Sequence, residues 1–191
     1  MTMDSLIITA APNGAYKQRS DHAQLPLTME HMAATAKACL DAGASMLHLH
    51  IRDAQGRHSL DVEGYRTALA AVEKAVGQAL VVQVTSEAAK VYQAPAQIAM
   101  VRALRPEAVS VSLREIDQPA IGESGLADFF GWLARERTMT QVIAPKLITK
   151  LKAACQLHRS VSKLPKGALL QAKKPKPVRA LDITPAPASG V

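Results

Sequence analysis

A short apolar run in the first third of the chain has the sequence Ser45-Met-Leu-His-Leu-His-Ile51, which is typical of a buried β-strand. Side chains alternate along a strand, so His48 and His50 project from one face and Leu49 from the other. Because α/β proteins place their sites at the carboxyl ends of strands, this run predicts both a strand of the core and a candidate site.

The same pattern of apolar runs and helical segments continues along the chain. Four further strands are predicted at residues 6–10, 80–85, 108–113 and 141–144. Helices are predicted from Thr28 to Gly43, from Asp61 to Gly77, from Pro95 to Leu104 and from Leu126 to Arg135. Strands that alternate with helices predict an α/β fold with a parallel sheet.

Two observations select among the parallel α/β architectures. No G-x-G-x-x-G turn follows the first strand, which favours a (β/α)₈ TIM-barrel type over a dinucleotide-binding sheet. A complete barrel takes about 250 residues. A chain of 191 residues therefore predicts an incomplete barrel of about five β/α units.

Composition and charge bound the domains and the class of partner. The chain is 48% hydrophobic and 20% charged, which is typical of a globular domain. Its positive charge is concentrated after residue 143, where ten Lys and Arg accompany a single acid, Asp182. We expect a partial barrel domain over residues 1–160 and a basic, solvated Pro/Ala-rich tail over 161–191. No aromatic residue follows Trp132, so a nucleic-acid partner is not favoured.

The sequence also bears on location. It contains no run of about 18 apolar residues and no basic N-terminal region before an apolar segment, so neither a membrane span nor a signal peptide is expected. Its two cysteines do not form a disulfide framework. These features predict a reducing, cytoplasmic setting.

The His48-Leu-His50 motif carries the chemistry. Two imidazoles on one strand face, about 7 Å apart along the backbone, can converge on one divalent metal such as Zn²⁺. Such a site needs a third ligand and an open position for substrate. The alternative is a pair of hydrogen-bonded core histidines.

Several segments together resemble the β-keto acid cleavage enzymes. They are Leu6-Ile-Ile-Thr-Ala-Ala-Pro-Asn-Gly-Ala15, Leu25-Pro-Leu-Thr28, Ala42-Gly-Ala-Ser-Met-Leu-His-Leu-His-Ile-Arg-Asp53, Gln83-Val-Thr-Ser86 and Arg105-Pro-Glu-Ala-Val-Ser-Val-Ser112. The resemblance spans roughly residues 4–143. It implies a barrel that binds Zn²⁺ or another divalent metal through the paired histidines and a glutamate from late in the chain. It also implies retro-Claisen cleavage of a β-keto acid, with acetyl-CoA as co-substrate and acetoacetate released.

The resemblance assigns further residues to the site. His48 and His50 match the metal ligands, while Thr85 and Ser110 match hydroxyls that contact substrate. Asn13 lies where the first loop lines the pocket. Glu115 either reaches the pocket or faces water, and no catalytic residue is assigned. The partners are then a small β-keto acid and a CoA thioester, with no membrane partner; self-association into a homo-oligomer is left open.

The chain departs from the family pattern in two places. Tyr16 and Lys17 stand where the best known members have an acidic residue. No Glu follows Glu136, so the late glutamate has no counterpart in the sequence. We therefore expect a truncated chain, with a frameshift after about residue 143, that has little or no retro-Claisen activity. The alternatives are an inactive barrel remnant, a metal-binding partial subunit, or an amidohydrolase-type hydrolase, whose His-x-His belongs on the first strand.

Overall fold

The structure of the protein is a computed structural model that describes residues 7–143. The predicted tail at 161–191, the end of the predicted barrel domain at residue 160 and the proposed frameshift after residue 143 lie outside the described residues.

Helices and short strands alternate along the described chain. The strands are β1 (Thr9–Ala10), β2 (Met46–Leu49), β3 (Ile51–Arg52), β4 (His58–Ser59), β5 (Val81–Thr85), β6 (Ala108–Ser112) and β7 (Met139–Ile143). The helices are α1 (Met29–Asp41), α2 (Val62–Val76), α3 (Ala94–Leu104), α4 (Leu113–Ile116) and α5 (Gly122–Arg135). Within residues 7–143, none of these helices has both the length and the apolar character that a bilayer crossing requires.

Local sequence signals fix the ends of the first two long helices. The Thr28 hydroxyl accepts a hydrogen bond from the His31 amide at 3.3 Å, and the Asp61 carboxylate accepts one from the Gly64 amide at 2.6 Å. Each therefore satisfies an amide that has no partner inside its helix. Gly77 ends α2 at a φ of 60° and a ψ of −141°, a conformation that favours glycine.

Five of the strands form one sheet in the order β1-β2-β5-β6-β7, and every neighbouring pair is parallel. Each crossover thus places the next parallel strand beside the last, as short connections require. The predicted parallel α/β fold is confirmed. Over residues 7–143 the sheet is open, so the described units are a part of a barrel and not a closed one.

The two faces of the sheet differ in chemistry. The register pairs His48 with Gln83, and Thr85 with Ser110. Because registered residues project to the same side, these polar side chains share one face. The intervening residues on the other face are apolar, and they join the helices in the hydrophobic core; they include Leu47, Leu49, Val84, Val109 and Val111.

The structure corrects the predicted strand that covers residues 45–51. β2 ends at Leu49, and the chain then forms a second, two-stranded antiparallel sheet in which Ile51 pairs with Ser59. The reason is a side-chain contact, since the Asn13 amide donates to the His50 carbonyl at 2.9 Å. His58 lies in β4 of this small sheet and is buried.

Other bounds also differ, and of the predicted strand at 6–10 only Thr9–Ala10 forms β1. The predicted strand at 108–113 ends at Ser112, and Leu113 begins the short helix α4. Helix α5 begins at Gly122, one turn before the predicted start at Leu126. The last strand begins at Met139 and not at residue 141.

One buried tyrosine ties the helix layer to the polar end of the sheet. Tyr65 of α2 is fully buried, and its hydroxyl donates to the Thr85 carbonyl at 3.0 Å. Burial, the largest influence, raises the pKa of this phenol, so it remains a donor at any ordinary pH. Thr85 is thereby held from the helix side while its hydroxyl faces the polar side.

We predict that Tyr65→Phe lowers the free energy of unfolding by about 1–3 kcal/mol, because it removes the donor from a buried carbonyl. Urea unfolding of the purified chain measures this. The control is Tyr16→Phe, since Tyr16 is 60% exposed, and its effect is expected to stay within about 0.5 kcal/mol. Equal unfolding free energies for the wild type and Tyr65→Phe would contradict the prediction.

Candidate metal and substrate site

The two predicted histidine ligands meet at the carboxyl end of β2. The Nε2 atoms of His48 and His50 lie 3.0 Å apart, and the ring planes are inclined at 74°. The Nδ1 atom of His48 lies 2.8 Å from Oε1 of Gln83, which is itself buried. An amide oxygen only accepts, so His48 carries its proton on Nδ1 and presents a lone pair at Nε2.

A third imidazole, from His58, lies beside the pair. Its ring centroid is 5.3 Å from that of His50. The Nε2–H group of His58 donates to the Glu87 carbonyl at 2.9 Å. The sequence does contain a signal for the hairpin that carries His58, since Asp53-Ala-Gln-Gly56 is a turn sequence between two short strands. The Asp53 carboxylate accepts from the amides of Gln55 and Arg57.

The environment keeps these imidazoles neutral. Burial, with further contributions from His48, His58 and Arg52, lowers the pKa of His50 to about 3. Burial also lowers the pKa of His48 and of His58. A neutral imidazole has one ring lone pair, so binding a metal at neutral pH needs no net loss of a proton. Because His48 Nε2 accepts in the 3.0 Å contact, His50 Nε2 carries the proton there, and that proton would have to move to His50 Nδ1 before this Nε2 atom could bind a metal.

The two predicted hydroxyls are in contact. The Ser110 hydroxyl donates to Thr85 Oγ1 at 3.3 Å, and the Glu87 amide donates to the same oxygen at 3.1 Å. These bonds occupy the acceptor positions of Thr85 Oγ1 and leave its hydrogen to donate elsewhere. Both hydroxyls are buried, and the structure gives each a side-chain or loop partner as well as its place in the strand.

Asn13 lies in the loop after β1 and contacts the backbone next to the histidine pair. Its amide group donates to the carbonyls of His50 and Pro26, at 2.9 and 3.2 Å. Its oxygen Oδ1 is buried and has no hydrogen-bond partner. Asn13 therefore positions the His50 backbone and offers one buried acceptor.

Two charged residues complete the surroundings of the pair. The Glu87 carboxylate oxygen Oε2 lies 3.9 Å from His50 Nε2. Burial and then the charge of Glu115 raise the pKa of Glu87, while Arg52 opposes the shift. Sequence periodicity singles out neither Glu87 nor Arg52, because Glu87 follows the predicted strand at 80–85 and Arg52 follows the predicted strand at 45–51.

Glu115 reaches the loop after β5 and not the histidine pair. Its oxygen Oε2 accepts from the Ala88 amide at 2.9 Å, and its side chain is half-buried. Arg52 is held through its Nη2 group by the carbonyls of Gly14 and Lys17, whereas its Nε and Nη1 atoms are buried without a partner.

The histidine pair fits two positions of a tetrahedral metal site. Zn–N bonds of about 2.0–2.1 Å at a tetrahedral angle separate two nitrogens by about 3.3–3.4 Å, close to the observed 3.0 Å. Over residues 7–143, however, no three His, Cys, Asp or Glu side chains already converge so as to hold an ion. The described residues therefore place two imidazole nitrogens at a spacing compatible with a shared metal, without a third such group already arranged beside them.

We predict that the metal-free chain loses stability as the pH falls from about 6.5 toward 3. In that window the unfolded chain binds a proton at position 50 that the folded chain does not bind, because the folded pKa lies below the ordinary value of 6.5. The slope for one such histidine approaches about 1.4 kcal/mol per pH unit. Urea unfolding at several pH values measures it, and His50→Gln should give a shallower slope. An unchanged slope in His50→Gln would contradict the assignment.

Three comparisons with known relatives bear on the identity of the chain. It is 35% identical over 79 residues to the 3-keto-5-aminohexanoate cleavage enzyme of Acetoanaerobium sticklandii, and this match covers 41% of this chain and 29% of that enzyme. It is 38% identical over 72 residues to the same enzyme of Fusobacterium nucleatum, covering 38% and 26%. It is 24% identical over 130 residues to the 3-oxoadipate:acetyl-CoA acetyltransferase of Cupriavidus necator, covering 68% and 45%. The chain thus spans less than half the length of each relative.

Among solved structures, the chain resembles ObcA in its apo form and in its ternary complex with a C4-CoA adduct and oxalate. Both comparisons give a TM-score of 0.51 at 18% identity and cover 72% of this chain and about a third of ObcA. At that identity the likeness shows the fold alone, which is TIM-barrel-like.

The family model for the beta-keto acid cleavage enzyme matches residues 5–162. This match includes the histidine pair, the predicted hydroxyls and every strand of the parallel sheet. The chain belongs to the beta-keto acid cleavage enzyme family.

Proposed function

We propose that this chain carries the metal-binding half of a β-keto acid cleavage site that uses acetyl-CoA as co-substrate. The observation that carries the proposal is the convergence of His48 Nε2 and His50 Nε2 at 3.0 Å, with Gln83 fixing the tautomer of His48. A divalent metal at that point, Zn²⁺ in our proposal, would bind both oxygens of a β-keto carboxylate and stabilise the enolate charge.

The proposed reaction balances without an oxidant or reductant. The bond between the α and β carbons of the keto acid breaks, and the acyl group that contains the β carbonyl is transferred to CoA. The acetyl group of acetyl-CoA joins the two-carbon carboxylate fragment, and acetoacetate is released. His48 and His50 would hold the metal, and the metal would supply a positive charge for the oxygens of the keto acid.

The chain's own groups support substrate binding. The Thr85 hydroxyl, whose acceptor positions are used by Ser110 and Glu87, can donate its hydrogen to a substrate oxygen beside the metal. The buried Asn13 Oδ1 can accept from a substrate donor. Glu115 would act indirectly, by holding the loop that contains Glu87, because its carboxylate accepts a hydrogen bond from the backbone of that loop.

We expect the isolated 191-residue chain to turn over slowly. Residues 137–191 contain a single carboxylate, Asp182, which falls within a Pro/Ala-rich sequence. General acid–base help is worth about 10²–10⁴-fold, and we expect turnover to fall below that of a full-length relative by about that factor.

The assay supplies acetyl-CoA, Zn²⁺ and a panel of β-keto acids, and follows acetoacetate beside the full-length relative. We predict slow release that depends on added Zn²⁺ and is lost in His48→Ala and His50→Ala. The matched control is His31→Ala, because His31 is exposed on α1. Release that is equal in the wild type and the two site variants would contradict the proposed function. Turnover equal to that of the relative would contradict the expected impairment.

A second prediction concerns the positioning of His48. Gln83→Leu removes the acceptor of the Nδ1 proton, so we expect Zn²⁺ affinity to fall about 10- to 100-fold. The tautomer of His48, observed by ¹⁵N NMR of the metal-free chain, should change in the same variant. Gln97→Leu is the matched control, because Gln97 is fully buried on α3 with no hydrogen-bond partner for either side-chain atom. Equal losses of affinity in both variants would show a general packing effect.

A further inference from the structure

Glu87 is the carboxylate nearest to the histidine pair that the structure reports. Its Oε2 atom lies 3.9 Å from His50 Nε2, and about a third of its side chain is exposed. A carboxylate oxygen and an imidazole nitrogen on one tetrahedral Zn²⁺ lie about 3.3–3.5 Å apart. Among residues 7–143 no three His, Cys, Asp or Glu side chains are already arranged to hold an ion, so the partly exposed Glu87 side chain would have to turn toward the pair to become a ligand.

The backbone that carries Glu87 is fixed from several sides. The His58 imidazole donates to the Glu87 carbonyl, and the Glu87 amide donates to Thr85 Oγ1. The next amide, of Ala88, donates to Glu115. Tyr65 fixes Thr85 in turn. These bonds come from different elements of the fold, so the position from which the side chain extends is set before any ligand arrives.

The charge around the pair also favours a carboxylate ligand. Burial is the main cause of the low pKa of both His50 and His58, and the positive charge of Arg52 lowers both further. The Nε and Nη1 atoms of Arg52 are buried and have no hydrogen-bond partner among the described residues. Two neutral imidazoles leave a divalent ion at its full charge, and Arg52 adds to it. One carboxylate offsets part of this charge, which is the usual reason that catalytic zinc sites combine histidines with an acidic ligand.

We propose that Glu87, which lies within residues 7–143, is the third ligand of a metal site whose other two protein ligands are His48 and His50. The inference rests on the proposed function, since it takes the histidine pair to be a metal site. It assigns to the loop after β5 the role of acidic metal ligand, which the family resemblance implies for a glutamate from late in the chain. No Glu follows Glu136 in this sequence. Site assembly then depends on the β2–β5 connection and on His58.

The test measures binding of Zn²⁺ alone to the full chain by competition with a chromophoric chelator, without any enzymatic assay. We expect Glu87→Gln to weaken Zn²⁺ binding by about 10- to 100-fold, a loss at least as large as that caused by removing an outer partner of a metal ligand. The ligand-field absorption of the Co²⁺-loaded chain should change in the same variant. Circular dichroism checks that each variant is folded.

Glu73→Gln is the matched control, since it removes the same charge from an exposed position on α2. His58→Phe provides a second variant, because it keeps Glu87 but removes the donor to its carbonyl. We expect it to weaken Zn²⁺ binding by less than Glu87→Gln does.

The outcomes separate the two proposals. Loss of binding in His48→Ala and His50→Ala, together with weakened binding and an altered Co²⁺ spectrum in Glu87→Gln alone among the glutamate variants, supports the inference. Loss in the histidine variants with wild-type affinity and spectrum in Glu87→Gln overturns it and leaves the histidine site standing. Equal Zn²⁺ affinity in the wild type and both histidine variants overturns both.

Discussion

The lateral register between β2 and β5 is the constraint on which the site depends. It sets His48 beside Gln83, and the hydrogen bond between their side chains fixes which nitrogen of His48 faces the pocket. A slip of one residue would turn Leu49 toward the polar face and His48 into the hydrophobic core. Because Leu47, Leu49 and Val84 are almost wholly buried on the helix side, the same packing that stabilises the sheet also excludes that slip.

Burying polar side chains on this face of the sheet costs free energy, which a functional role for them would explain. Buried polar atoms are normally hydrogen-bonded, yet His50 Nδ1, His58 Nδ1 and Asn13 Oδ1 have no partner among the described residues. The imidazoles accommodate burial by staying neutral, and the hydroxyls of Thr85 and Ser110 satisfy each other. These three unpaired atoms belong to the histidine pair and its neighbours, where a ligand would bind. The physical picture is therefore of a stable apolar layer that holds a set of unsatisfied polar groups in fixed positions.

Much of this arrangement follows from the sequence. The apolar runs predicted five parallel strands, and strand alternation predicted one shared face for His48 and His50, although β2 ends at Leu49. The antiparallel β3–β4 sheet was not predicted, because it depends on the Asn13 contact with His50 and on the turn at Asp53. That turn requires Gly56, whose φ is 76°. His58 and Glu87 therefore reached the site through tertiary contacts that no periodicity encodes. The predicted roles of Asn13, Thr85, Ser110 and Glu115 toward substrate stay predictions.

We propose above that His48 and His50 bind one metal ion through their Nε2 atoms. Anomalous diffraction from crystals of the Zn²⁺-loaded chain, recorded at the zinc absorption edge, tests it most directly. We expect a single strong peak about 2.0–2.1 Å from both Nε2 atoms, with His48 Nδ1 still hydrogen-bonded to Gln83. A peak at another group of side chains, or Zn²⁺ bound while the two imidazoles keep their direct contact, would contradict it.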